Sequence, residues 1–181
     1  MTQELDLERR CNELVGSKIE TVRYYGQFQN FESAHGISES VYLFCDQNRI
    51  FRFGYEDEFF LKWGFGISVK KTPRILSKDE EEESLEATSL WREKQKTEEL
   101  RIERVKLHWR YISDSRFVLW HSYNRSDYPQ DVELILSNGN SVYVGVTKLL
   151  SDGQCKLFTN HLSVFWDAQE RERTYEKVQR H

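Results

Sequence analysis

The amino-acid sequence predicts an α+β fold dominated by β-structure: two similar antiparallel β-meander or hairpin halves packed together, an N-terminal helix, a charged and partly helical connector, and a short C-terminal helix. Three observations carry that expectation. Apolar and polar residues alternate with period two in two separated regions, around 41–53 and 105–146. Aromatic residues make up 14% of the chain, and aromatics favour pleated, half-buried surfaces. A charged run, Lys78-Asp79-Glu80-Glu81-Glu82-Glu83, lies between the two regions, and packed like charges disfavour compact structure.

Residues 2–15 predict a helix. Thr2 can cap its start, and Leu7, Cys11, Leu14 and Val15 fall on one stripe. Gly16 then offers a left-handed stop. From Lys18 to Phe28 the β-branched and aromatic residues read as a strand, followed by a polar loop from Gln29 to Ser38. Val41, Leu43 and Cys45 alternate with Tyr42 and Phe44, Asp46-Gln47-Asn48 turns the chain, and Ile50, Phe51 and Phe53 return. Phe59–Trp63 and Phe65–Val69 add strands, with Gly64 and Gly66 marking a bend or bulge.

The connector spans 71–99. Leu85, Leu90 and Trp91 make no apolar stripe there, so a helix in this stretch is expected to be marginal and solvent-facing. Period two returns with Val105, Leu107, Trp109 and Tyr111. Ser113-Asp114-Ser115 turns the chain, Phe117–Tyr123 runs back, and Asn124–Asp131 is a second polar loop broken at Tyr128-Pro129. Val132, Leu134 and Leu136 lead through Asn138-Gly139, a strong hairpin signal, into Val142, Val144 and Val146. Leu157–Phe158 and Leu162–Trp166 suggest further strands. Asp167, with Glu170 three residues on, can box the C-terminal helix.

Val41-Tyr42-Leu43-Phe44 overlays Val132-Glu133-Leu134-Ile135, and Phe51 and Phe53 then fall on Val142 and Val144. Farther on, Ile67-Ser68-Val69 resembles Leu162-Ser163-Val164. The organisation that follows is residues 1–70 (helix plus first β-repeat), 71–99 (connector) and 100–181 (second repeat plus helix), both repeats in one compact domain. Two half-sheets can hide their edges by pairing or by packing face to face.

A net charge of −4 and a pI near 5.8 argue against nucleic acid and anionic membranes as partners, because phosphate binding needs a basic face. Met1–Val15 has no apolar stretch of signal-peptide type, and no run reaches the ~20 apolar residues of a membrane helix. Three widely spaced cysteines, Cys11, Cys45 and Cys155, fit buried reduced thiols in a cytoplasmic protein.

Chemistry-bearing motifs are missing from the sequence. No glycine-rich phosphate loop stands before a Lys-Ser/Thr pair, no His or Cys pair has zinc spacing, and no Gly-x-Ser-x-Gly elbow occurs. The expectation is therefore no catalytic residues, no metal and no cofactor. The most distinctive group is Glu56-Asp57-Glu58, set between Tyr55 and Phe59-Phe60 with Trp63 beyond. Acids among large aromatics suit a surface that receives a basic partner. Tyr55, Glu56, Asp57, Glu58 and Trp63 are the candidate partner-binding residues, and the expected function is non-enzymatic protein binding, as in a bacterial toxin-neutralising immunity protein. One alternative is a small-molecule or glycan-binding β-domain using aromatics of the loops at Gln29–Ser38 and Asn124–Asp131. Another is a hydrolase or nuclease with a carboxylate/histidine site drawn from Glu56, Asp57, Glu58, His121 and Asp167. His108 and His121 fall on one expected hairpin and could approach each other across it.

Overall fold

Gln3–Asn12 winds into the first helix, α1, of a computed structural model that describes residues 3–56, 66–73, 84–113, 125–152, 154–156 and 159–176. Leu7, Cys11 and Leu14 are buried as their stripe requires, whereas Val15 is exposed. Gly16, at φ +80°, turns the chain out of the helical turns.

The strands that follow are β1 (Lys18–Tyr25), β2 (Phe28–Asn30), β3 (Ala34–Ile37), β4 (Ser40–Cys45), β5 (Arg49–Glu56), β6 (Gly66–Thr72) and β7 (Ser84–Glu86). After the helix α2 (Thr88–Gln95) come β8 (Leu100–Ser113), β9 (Arg125–Leu136), β10 (Ser141–Gly145), β11 (Lys148–Leu149), β12 (Cys155–Lys156), β13 (Leu162–Phe165) and the helix α3 (Ala168–Glu176). Among the described residues, eleven strands form one sheet in the order β2-β3-β13-β10-β9-β8-β1-β4-β5-β6, with β7 added to β1, while β11 and β12 pair separately. All of these pairings are antiparallel.

The two meanders β1-β4-β5-β6 and β8-β9-β10-β13 share one register. Val41 pairs Phe53, which pairs Val69; Val132 pairs Val144, which pairs Val164. One position along, Gly54 faces Ser68 and Gly145 faces Ser163. The ladder of each leading strand is interrupted at the same place, between Ile19 and Thr21 in β1 and between Ile102 and Arg104 in β8. The meanders meet where Lys18 pairs Arg101 and Ile19 pairs Leu100. Exchanging the two repeats carries the Lys18–Arg101 pair onto itself, which makes it the pivot of a two-fold-like relation.

Inward residues of both meanders fill one core. Val22, Leu43, Phe51, Phe53 and Val69 of the first join Val132, Leu134, Val142, Val144 and Val164 of the second, along with Leu7 and Leu14 of α1 and Trp91 of α2. β6 also approaches β9, so the sheet curls over its own interior.

Three local expectations are corrected. Gln29–Ser38 is not a loop: most of it is the β2–β3 hairpin, which continues the second meander by pairing Leu162–Phe165 with Ile37–Ala34. Its polar residues gave no alternation, but Ala34, His35 and Ile37 are buried. Asn124–Asp131 likewise belongs mostly to β9, and Pro129 sits at the register shift opposite Trp109, where a residue without an N–H interrupts no regular ladder. The connector helix α2 is not solvent-facing, because Thr88, Trp91 and Gln95 are buried and Trp91 is fully enclosed. Two of those three residues are polar, so an apolar-stripe search passes over them. Phe59–Trp63, Phe117–Tyr123, Leu157–Phe158 and the acidic run through Glu83 lie outside the described residues.

Candidate functional site

Of the sequence-derived candidates, Tyr55 and Glu56 fall on described backbone; Asp57, Glu58 and Trp63 lie outside it. Tyr55 pairs Ile67 and Glu56 pairs Gly66 at the end of the β5–β6 ladder. Tyr55 packs partly against the core, and Glu56 forms an ion pair with Lys70. Consecutive residues of a strand face opposite ways, so Tyr55 turns toward the core with Phe53 while Glu56 stands with Lys70 on the outer face.

A denser polar group, which the sequence did not single out, lies on the outward face of β8, β9 and β10. Val132, Leu134 and Leu136 point into the core, so the alternation of β9 turns Asp131 and Glu133 to the other side. The register sets His108 beside Asp131, and Lys106 and Tyr143 beside Glu133. Helix α3 crosses this face. Arg171 donates from Nε to both Asp131 oxygens at 3.1 and 3.0 Å, and its Nη2 lies 3.0 Å from Oδ2. Tyr175 donates its hydroxyl to Asp131 Oδ2 at 3.1 Å and accepts from Gln130 Nε2 at 3.3 Å. The guanidinium also stacks over the rings of Tyr143 and Tyr175, 5.1 and 5.3 Å from their centroids.

Glu133 is satisfied from the open side. Ser141 Oγ and the Tyr143 hydroxyl donate to Oε1 at 2.8 and 3.2 Å. His108 Nε2 is 2.9 Å from Oε2, with Lys106 Nζ at 3.7 Å. Burial pushes the Asp131 carboxyl up, against the pull of Arg171, His108 and the Tyr175 hydroxyl. Burial works the same way on Glu133, but Ser141, His108, Lys106 and Tyr143 together bring it below the usual carboxylate range. Each carboxylate oxygen meets a donor of the chain itself, which is how a buried polar network rigidifies a fold. Its evident effect is to fix α3 on the sheet.

A second buried chain of donors links the halves. Trp91 Nε1 donates to the Tyr24 hydroxyl at 2.6 Å, and that hydroxyl lies 3.0 Å from His35 Nδ1. Because the indole can only donate, the Tyr24 oxygen accepts from Trp91 and shares its second hydrogen bond with His35 Nδ1. His35 is buried, and desolvation together with the nearby Lys94 charge lowers its pKa to about 4.

The other sequence candidates resolve into structural parts. Asp167 caps α3, accepting from the Glu170 N–H at 2.9 Å, and His121 lies outside the described residues. The three cysteines are buried thiols, and burial raises both Cys11 and Cys45 to about 12, which makes them inert. No cluster able to hold a metal ion occurs among the described residues, and no described helix is long and apolar enough to cross a membrane. A small cleft of about 70 Å³ opens between the β2–β3 hairpin, β11 and the start of β13. Comparison with known proteins gives no matching family model, no matching curated protein and no matching solved structure.

Proposed function

We propose that the protein works by binding another protein, as a bacterial immunity protein that neutralises a basic toxin in the cytoplasm. The observation that carries this reading is the saturation of Asp131 and Glu133. General acid–base chemistry needs a group whose lone pair or proton can reach a substrate, whereas these carboxylates, gathered beside His108, are matched to the chain's own donors. Glu56 supplies part of what a binding surface uses: an acid on the outer face at the end of an ordered ladder, whose strand is anchored from the other side by Tyr55 against the core. The negative net charge favours fast encounter with a cationic partner through electrostatic steering.

The test is reconstitution. The protein, immobilised and offered extract of its host, should retain a basic polypeptide. The purified pair should associate at a rate that falls steeply as salt rises, and Glu56→Lys should slow association. Salt-independent association, or wild-type kinetics in Glu56→Lys, would count against the proposal.

A hydrolase or nuclease is the second reading, favoured by one observation: the His108 side chain, next to Glu133, is 33% exposed. Turnover of an ester or nucleic-acid substrate that disappears in His108→Ala would establish it in place of the first. A glycan-binding role gains less support: the 70 Å³ cleft is far below the ~300–1,000 Å³ of ordinary ligand pockets, and the larger depression of about 450 Å³ along α2 is lined by Ser89, Arg92, Glu93, Lys96, Thr97 and Glu98, with no aromatic to stack on a sugar.

A further inference from the structure

We infer that the cleft between the β2–β3 hairpin and β11 is a binding site for a small protonated oxyanion, with inorganic phosphate as its simplest occupant. Its floor is apolar, made by Ile37, Leu149 and Leu162, while Lys148, His161, Gln27, Gln29 and Ser38 supply the polar lining. No carboxylate lines it, although acids outnumber bases 30 to 26 in the chain. Lys148 has no ion-pair partner among the described residues, so its ammonium charge is left for a ligand. Gly36 contributes backbone to the wall, and a side chain there would meet Phe31 at 3.3 Å. At about 70 Å³ the space takes a few waters or one tetrahedral anion, and is too small for a sugar ring or nucleobase.

The orientation of His161 selects among anions. Its Nδ1 lies 3.0 Å from Asn160 Oδ1 and 3.2 Å from Thr159 Oγ1. The amide oxygen can only accept, so Nδ1 carries the proton and Nε2 is left as an acceptor. Burial and the Lys148 charge both disfavour a second proton on the ring. A ligand that fits must therefore bring negative charge to Lys148 and a hydroxyl donor to His161. Phosphate carries a P–OH near neutral pH, whereas sulfate is fully ionised and offers no donor. The Gln27 and Gln29 carboxamides can complete the shell as donors. This site is independent of the protein-binding reading.

Titration of the full-length chain with sodium phosphate, sodium sulfate and sodium chloride at matched ionic strength, followed by the His161 imidazole NMR signals, tests the inference. Phosphate should shift those signals saturably and more tightly than sulfate near neutral pH, and chloride should not saturate. Lys148→Gln should weaken phosphate by about tenfold or more, the worth of one charged hydrogen bond. His161→Phe, followed by calorimetry, should abolish the preference over sulfate. Both side chains are only partly buried, so melting temperatures without phosphate should stay at the wild-type value and confirm that the variants are folded. Equal responses to all three salts, sulfate binding as tightly as phosphate, or unchanged affinity in Lys148→Gln would each overturn it.

Discussion

A carboxylate sealed from water needs donors for both oxygens, and Asp131 has them in Arg171 and Tyr175. Removing one partner of a buried pair leaves the other charge uncompensated. Asp131→Ala should therefore lower stability by about 3–5 kcal/mol in urea unfolding, and adding Arg171→Met should recover part of that loss. Gly145 belongs to the same joint: a Cβ there would come within 2.7 Å of the Tyr175 hydroxyl and 3.0 Å of Asp131 Cβ. Gly145→Ala should cost about 1–3 kcal/mol by overpacking. His35 sets a pH dependence. Its folded pKa, about 4, lies below the ~6.5 of an unfolded histidine. Above the unfolded value the ring is neutral in both states and contributes no pH dependence. As pH falls from 6.5 through 4 the unfolded chain takes up the proton first, and stability drops by about 3 kcal/mol. In His35→Leu this part of the acid limb should flatten, which unfolding curves collected across that window will show.

At the level of elements, the two hairpin turns do the same work with different chemistry. Gln47 and Asn48 both have positive φ, 58° and 57°, within the three-residue loop between the paired Cys45 and Arg49, a left-handed geometry that an Asn-Gly pair adopts with least strain. Asn138-Gly139 has that sequence, yet only Gly139, at 84°, adopts positive φ. Asn138 and Asn140 instead each donate a side-chain N–H to the Gln95 carbonyl at 2.9 Å, closing the C-terminus of α2. Arg49 does the corresponding job near the end of α1, donating to the Glu13 carbonyl at 3.2 Å. Placing Asn-Gly in the first turn, by Gln47→Asn with Asn48→Gly, should raise stability by about 1 kcal/mol, measured as a higher urea midpoint. The alternation of β4, β5, β9 and β10 was legible because each strand buries one face in the core. α2 was not, because it docks with a lone tryptophan and two polar side chains whose partners come from β1 and the start of β10.

For the whole molecule, interleaving matters more than either repeat. The first half supplies β2 and β3, but β3 pairs with β13 of the second half. β1 pairs with β8, and the Trp91–Tyr24–His35 chain ties α2 of one region to β1 and β3 of another. Neither repeat can close its core alone, so residues 1–73 and 84–181 expressed separately should be largely unfolded by circular dichroism, while the intact chain melts in one transition. What the sequence determined by itself was the inward face of β4, β5, β9 and β10, the two hairpins they form and the likeness of the two repeats, since period-two burial is written locally in residue order. Tertiary structure decided the rest. Lys106, His108, Asp131, Glu133, Tyr143 and Arg171 are spread over more than sixty positions; the i, i+2 spacing of Lys106 with His108 and of Asp131 with Glu133 marks only a shared strand face, and the six become neighbours only when strand register and the crossing of α3 bring them together.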